Sequence, residues 1–436
     1  MLNLIFVLKP TLLNIEQLYR LFVQYPSVQT DSRKIAHGDL FFALSGPNFN
    51  GNQFAQQALE KGAAYAIVDE DLGSGDERII RVPDALQTLQ ELAKHHRLQF
   101  NIPFIAITGS NGKTTTKELV SSVLSESYLT YTTVGNLNNH IGIPLTLLRV
   151  HSDAEMAVIE MGANHLREIA GYCKYVLPTH GIITNCGKAH LEGFGGVEGV
   201  RKGKGELFDF LRENGGTAFI YNEYDYLQEM AQGIQNVFTY GSGNAKLTGR
   251  VTANHPFLSV ATSVDGAAHI ETRLVGEYNL PNVLCAVAIG AFFNVPGHKI
   301  KTAIEHYTPT NSRSQLVETG SNKYILDAYN ANPTSVKAAI ENFATISAGN
   351  KVVMLGAMME LGEESIIEHQ KIADLLVSLN PGTVVLVGGD FSQVKHPFLY
   401  FDNVMLAKSW YQGQSFENTW FLVKGSRSMQ MEKILQ

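Results

Sequence analysis

The chain has 436 residues, 44% hydrophobic and 17% charged, room for about three domains and ordinary for a globular enzyme. Its formal net charge of −7 excludes a nucleic-acid binder that works through a basic surface, though not an anionic small substrate held by a local cluster. Cys173, Cys186 and Cys285 are odd in number and lack zinc-type spacing, which fits a reduced, cytoplasmic compartment, and no apolar run reaches the roughly 18 residues of a membrane span.

Met1 to Leu8 is apolar but short, has no basic residue ahead of it and ends at Lys9-Pro10. It reads as a poor signal peptide, and either as an edge strand or as the product of an upstream start codon. An amphipathic helix is expected from near Asn14. Asp39 to Leu44 reads as a strand, Ser45 to Asn52 as a Gly/Asn-rich loop, Gln53 to Lys61 as a helix and Ala64 to Val68 as a strand. Asn101-Ile102-Pro103 reads as a linker.

The apolar run Phe104-Ile105-Ala106-Ile107 leads directly into Thr108-Gly109-Ser110-Asn111-Gly112-Lys113-Thr114-Thr115-Thr116-Lys117 and a helix through about Leu124. Strand, Gly-rich turn and helix are what a phosphate-binding loop requires. Glycines let backbone N–H groups converge on phosphate oxygens, and the helix N-terminus adds partial positive charge. Lys113 suits the β- and γ-phosphates, and the Thr114 hydroxyl suits Mg²⁺. The loop is shorter than the usual form, because Ile107 stands where an earlier glycine is expected.

Short apolar strands recur at 157–159 and 181–184, as in a parallel sheet covered on both faces. Glu160 follows the first of these, where a carboxylate suits Mg²⁺ and a solvent-facing strand end is equally ordinary. His190 lies in a Gly-rich loop just beyond the second; a lone His there is either a site residue or a satisfied polar group. Lys202 and Lys204 sit in Arg201-Lys202-Gly203-Lys204-Gly205, which taken alone reads as the charged start of a solvated helix. The stretch 246–275 alternates and is expected to be antiparallel, and a helix is expected over 280–293.

From near Thr308, four apolar strands at 324–326, 352–355, 384–387 and 420–423 alternate with helices such as 334–344 and 364–378. That pattern predicts a Rossmann-like unit whose ligand crevice lies at the strand ends Asp327, Gly356, Gly388 and Lys424. In Asp327-Ala328-Tyr329-Asn330-Ala331-Asn332-Pro333-Thr334 a strand end meets a helix start. Those polar residues serve a ligand or plain capping.

Taken together these pieces resemble the Mur ligase family, in particular its D-alanyl-D-alanine-adding branch. The resemblance runs from about Thr30 to Met431. Its early carriers are Thr30-Asp31-Ser32-Arg33, Gly38 to Leu44, the phosphate loop and Gly135-Asn136-Leu137-Asn138-Asn139-His140-Ile141-Gly142. Glu160-Met161-Gly162, His190-Leu191-Glu192-Gly193-Phe194-Gly195, Gly276-Glu277-Tyr278-Asn279-x-x-Asn282, Asp327 to Pro333 and Lys424-Gly425-Ser426-Arg427 complete it.

The resemblance implies an α/β protein of three domains. These are an N-terminal UDP-binding domain (1–100), a central P-loop ATPase domain with a parallel sheet (101–307) and a C-terminal Rossmann-like ligase domain (308–436). It implies ATP-dependent amide-bond formation between UDP-N-acetylmuramoyl-tripeptide and D-Ala-D-Ala in peptidoglycan synthesis, by a cytoplasmic monomer.

Residue by residue, it places Gly109, Asn111, Gly112, Lys113, Thr114 and Thr115 on ATP phosphates, and Thr114 and Glu160 on one Mg²⁺. His190 would hold a second Mg²⁺ with a carbamylated lysine, which by its place before Gly205-Glu206-Leu207 is Lys204. Asn279 and Asn282 would meet the adenine side, and Arg313 and Asp327 the nucleotide. Ser32, Arg33 and Asn48 would seat the UDP portion, and Asn138 and Asn139 the sugar–peptide. Asn330, Asn332, Pro333 and Ser335 fall in the stretch that separates this branch from its relatives.

The chain departs from the branch at Ala357, where Asp is usual in Gly356-Ala357-Met358-Met359-Glu360-Leu361-Gly362, and at Tyr278, where His is common. The competing readings are another Mur ligase, a folylpolyglutamate-synthetase-like ligase, and a P-loop NTPase switch. The early Thr30 to Arg33 segment argues against the folate enzyme. A switch would hydrolyse ATP without an acceptor and has no use for the last domain.

Overall fold

The structure is a computed structural model and describes residues 14–310 and 312–435; the strand or start-codon reading of Met1 to Leu8 lies outside them. The described residues form two compact units. The first holds the chain up to Phe104 with Tyr131–Met161 and Gly171–Leu177; the second holds Ile105–Thr130, Gly162–Ala170 and the chain from Pro178 onward.

In the first unit, helix Ile15–Gln24 starts where Asn14 accepts from Gln17 N in a capping box, and Leu18 and Phe22, four apart, are its buried face. Four short parallel strands lie in the order Val28–Gln29, Leu40–Phe42, Tyr65–Val68, Ile79–Arg81. The helix expected over 53–61 is divided into a 3-10 turn, Gly51–Phe54, and a helix, Ala55–Glu60. Gly51 opens that turn close against the preceding chain, where a Cβ would lie 2.3 Å from the Leu44 carbonyl oxygen. Helix Ala85–Arg97 ends with Arg97 donating to Val176 O at 2.9 Å and Leu177 O at 3.0 Å. Strands Thr130–Thr132 and Met156–Glu160 are sheet neighbours, and the latter is buried throughout.

In the second unit, strand Phe104–Thr108 pairs in parallel with His180–Ile183, and the sheet continues through Thr217–Tyr221, Asn236–Gly241 and Leu247–Ala253. It turns antiparallel at Ser259–Thr262 and His269–Glu271, as the alternation over 246–275 predicts. A six-stranded sheet has the order Gln315–Thr319, Asn322–Asp327, Thr419–Lys424, Asn350–Gly356, Thr383–Val387, Leu399–Phe401. The four inner strands are those expected from their apolar runs. The two edge strands are less buried, and the first pairs antiparallel, so neither shows the continuous apolar signature of a doubly covered strand. Helix Pro333–Ala344 packs with Val336, Ala339, Ile340 and Phe343 buried, a 3-1-3 spacing that is one helical face. Among the described residues no helix is long and apolar enough to cross a membrane.

Candidate active site

The phosphate loop follows the buried strand Phe104–Thr108 and opens helix Lys113–Ser125. Gly109 has φ +142°, and a Cβ there would come 1.9 Å from Thr184 Oγ1. Gly112, the helix N-cap, has φ +80°, and its Cβ would lie 2.6 Å from Asn282 Oδ1. Both positions demand glycine on conformation and on space. The loop is braced by the chain leaving strand His180–Ile183. Ser110 N donates to Asn185 O at 2.8 Å, and Asn111 N to Asn185 Oδ1 at 3.0 Å. Thr184 Oγ1 and Asn185 Nδ2 both donate to Asn111 O, at 2.6 and 3.0 Å. Sequence reasoning assigned no role to Thr184 or Asn185; their place at a strand end facing a Gly-rich loop was the available signal.

Lys113 Nζ donates to the loop carbonyls of Gly109 at 2.6 Å and Ser110 at 3.2 Å, so its ammonium lies over the turn it is expected to serve. Thr114 is buried and Thr115 half-buried in the first helical turn. Thr116 Oγ1 donates to Asn282 Oδ1 at 3.1 Å, Asn282 Nδ2 to Asn279 Oδ1 at 2.8 Å, and Asn279 Nδ2 to Val275 O at 2.9 Å. Both asparagines are thus buried behind the loop, engaged with it and with each other. Tyr278 OH pairs with Ser314 Oγ at 3.0 Å, and burial raises its phenol above the ordinary range.

In the first unit, Glu160 is 1% exposed at its strand end. Its Oε1 accepts from Asn138 Nδ2 at 2.8 Å, and its N–H donates to Thr133 Oγ1 at 3.0 Å. Asn139 Oδ1 instead caps the turn before helix Gly142–Leu147, accepting from Gly142 N at 2.8 Å. Ser32 is buried and its carbonyl accepts from Lys61 Nζ at 2.8 Å. Arg33 is exposed and forked onto Asp31, whose carboxyl it holds well below the usual range. Asn48 is exposed between strands Ser45–Gly46 and Phe49–Asn50.

His190 sits at φ +53° ahead of the short helix Leu191–Phe194, and its Nδ1 pairs with Glu360 Oε2. That hydrogen bond holds the Glu360 carboxyl below its ordinary value. Lys204 lies on helix Val197–Asn214, 1% exposed, its Nζ donating to Ala163 O at 2.8 Å and standing 4.9 Å from the Phe194 ring centre. The expectation from its local sequence, a solvated helix start, does not hold for this residue: the residue-204 face of the helix turns inward. Burial, aided by the neighbouring Lys113 charge, pushes its ammonium down to about 7.

At the C-terminal strand ends, Asp327 pairs with the buried Lys424 at 2.5 Å and accepts from Ser314 N at 3.2 Å. Lys424 Nζ also donates to Asn330 O at 3.1 Å. The Arg313 guanidinium lies 3.5 Å from the Tyr329 ring centre. Asn332 is 6% exposed and caps helix Pro333–Ala344, accepting from Ser335 N at 3.0 Å while Asn332 N donates to Ser335 Oγ at 3.2 Å. Its Nδ2 donates to Asn111 Oδ1 at 2.7 Å, joining this helix start to the phosphate loop. Lys188 adds two contacts from the loop before His190: its N donates to Thr334 Oγ1 at 3.0 Å and its Nζ pairs with Glu368 at 2.7 Å.

Known proteins resemble this chain in sequence and in fold. The Mur ligase middle domain matches residues 107–290, the Mur ligase glutamate ligase domain residues 312–427, and the Mur ligase family catalytic domain residues 24–97. The UDP-N-acetylmuramoyl-tripeptide–D-alanyl-D-alanine ligase of Bacillus subtilis (strain 168) is 32% identical, over 94% of this chain and 92% of that one. The chain belongs to the Mur ligase family. Its three-domain α/β fold is that of solved Mur ligase structures. The crystal structure I of MurF from Acinetobacter baumannii matches with TM-score 0.83 and 31% identity over 94% of this chain and 92% of that one. MurF ligase from Thermotoga maritima in complex with ADP matches with TM-score 0.83 and 25% identity over 94% and 96%.

Proposed function

We propose that this Mur ligase joins D-Ala-D-Ala to UDP-N-acetylmuramoyl-tripeptide, with ATP as energy donor, in the assembly of peptidoglycan precursors. The observation that carries the reading is the likeness, over more than nine-tenths of both chains, to UDP-N-acetylmuramoyl-tripeptide–D-alanyl-D-alanine ligases. The phosphate loop, braced by Thr184 and Asn185 and joined to Asn332, supports it.

The terminal carboxylate of the tripeptide attacks the γ-phosphate of ATP, giving an acyl phosphate and ADP. The amine of D-Ala-D-Ala then attacks the acyl carbon, loses a proton and expels phosphate. Two anions must meet in the first step, so the work of the chain is positioning and charge neutralisation. The loop N–H groups of Gly109 to Thr115 cradle phosphate oxygens, and Lys113 moves from its own loop carbonyls onto the β- and γ-phosphates. The segments 1–100, 101–307 and 308–436 serve UDP binding, ATP binding and ligation respectively. Ser32, Arg33 and Asn48 act in the first, Asn138 and Asn139 line the sugar–peptide path, and Asn330, Pro333 and Ser335 serve the substrate in the last, with Asn332 tying that stretch to the phosphate loop. Arg313 and Asp327 serve the nucleotide, with Asn279 and Asn282 behind it.

The donor chemistry fits Mg²⁺. Thr114 and Glu160 offer hard oxygens, and Asn138 already orients the Glu160 carboxylate. Among the described residues no cluster of three or more His, Cys, Asp or Glu could hold a metal by itself; Mg²⁺ is commonly held by one or two carboxylates together with substrate phosphates. Bound there, Mg²⁺ supplies charge neutralisation at the transferring phosphoryl group. Lys204 as an ammonium is no ligand. Its depressed proton affinity supports carbamylation: the neutral amine adds to CO₂, releases a proton and becomes a carbamate anion, which with His190 would hold a second Mg²⁺.

Incubating the protein with Mg-ATP, UDP-muramoyl-tripeptide and D-Ala-D-Ala tests the reading. A product of UDP-muramoyl-pentapeptide mass, with ¹⁸O passing from a labelled tripeptide carboxylate into phosphate, is expected. A product made with a single amino acid instead would move the chain to another branch.

A further inference from the structure

The structure assigns a role to Glu360: it is a positioning residue that fixes the ring orientation and tautomer of His190. The inference rests on the reading of His190 as part of the reaction centre. It comes from the segment Gly356 to Gly362, which the sequence singles out by its Ala357 and for which the reaction described above has no use.

Glu360 Oε2 and His190 Nδ1 are hydrogen-bonded, with side chains 53% and 24% exposed. A polar contact so open to solvent contributes little to stability. Yet both partners hold uncommon backbone conformations, His190 at φ +53° and Glu360 at φ +60°, which non-glycine residues rarely adopt. Such conformations persist where the surroundings impose them, and they cluster at functional sites. The surroundings here are specific. Glu192 N donates to Glu360 O at 3.4 Å, and Gly362 stands against Glu192, where an added Cβ would lie 3.4 Å from the Glu192 Cβ. On the other side of His190, Lys188 is tied to Thr334 and Glu368. The loop is therefore gripped on both sides of the histidine, and the carboxylate meets the ring between the two grips.

A carboxylate accepting from Nδ1–H leaves the Nε2 lone pair free and aimed away from Glu360. This is the arrangement by which an outer carboxylate orients a metal-ligating histidine and raises its basicity. Glu360 lies in the Rossmann-like segment and His190 in the phosphate-loop segment, so the histidine is set only while these two segments are together.

The test uses full-length protein with ¹⁵N-labelled histidine, and the variants Glu360→Ala and Glu360→Gln. In ligand-free wild type, His190 is expected to show Nδ1 protonated and Nε2 unprotonated at pH 8. Glu360→Ala should move it toward the Nε2–H form that prevails in water, and Glu360→Gln, whose amide oxygen still accepts, should retain the wild-type form. In steady-state ligation, Glu360→Ala should lower kcat by about tenfold to a hundredfold with little change in KM for ATP, and Glu360→Gln should recover most of it. Identical His190 signals in wild type and Glu360→Ala would overturn the assignment, as would unchanged kcat in Glu360→Ala or an equal loss in Glu360→Gln. If the wild-type protein itself fails to ligate, the functional reading falls, while the ring signals still decide whether Glu360 sets His190.

Discussion

Asn332 does two jobs that a pair of substitutions separates. Its side-chain oxygen caps helix Pro333–Ala344, and its side-chain nitrogen donates to Asn111 in the phosphate loop. Replacing an Asn cap by Ala costs about 1 kcal/mol, and a hydrogen bond between neutral groups contributes about 1 kcal/mol net. Asn332→Ala therefore loses about 2 kcal/mol, half from the helix start and half from the link to the loop. Asn332→Ser keeps the cap, because Ser accepts from the same backbone N–H, but is too short to reach Asn111. Hydrogen exchange reads the first job: amides of Ser335 and Val336 should exchange about fivefold faster in Asn332→Ala and near the wild-type rate in Asn332→Ser. Ligation kinetics read the second: kcat/KM should fall about fivefold in both variants. Wild-type exchange in Asn332→Ala would refute the capping argument. Wild-type kinetics in Asn332→Ser would refute the link between this helix and the loop.

Lys113→Ala, its fold checked by circular dichroism, should abolish ATP turnover, because it removes the ammonium that lies over the loop carbonyls of Gly109 and Ser110; near-normal turnover refutes the loop assignment. Lys204→Ala should be impaired and partly restored by short carboxylic acids that replace the carbamate, and full activity without rescue removes that role. Lys204 also predicts a pH dependence of stability. The unfolded lysine keeps its proton up to its ordinary 10.5, whereas the buried amine releases it near 7. Between those values the unfolded chain binds more protons, so this group makes unfolding free energy rise with pH. Urea unfolding in CO₂-free buffer at pH 7.5 and 9.5 should show a steeper rise in wild type than in Lys204→Met, and equal slopes refute the depressed proton affinity.

Much of the fold was legible because its signals are local. The inner strands at 352–355 and 384–387 are apolar runs buried on both faces, and helix Pro333–Ala344 carries its cap, its proline and its apolar spacing in sequence. The edge strands Gln315–Thr319 and Leu399–Phe401 were not, because edge position is a property of the sheet and not of the segment. In the site, the phosphate loop could be read from its glycines, Lys113 and threonines. What could not be read were the contacts that close it across long sequence separations: Asn185 with Asn111, Asn332 with Asn111, and Glu360 with His190. The buried state of Lys204 was equally hidden, since Arg201, Lys202 and Lys204 look alike along the chain and only the helix face divides them.

The most direct test of the account is phosphate release from Mg-ATP, measured with UDP-muramoyl-tripeptide and D-Ala-D-Ala together, with each alone, and with neither. Release that requires both is the predicted result. Release of equal rate with neither would contradict it and leave a phosphate loop that hydrolyses ATP without forming an amide bond.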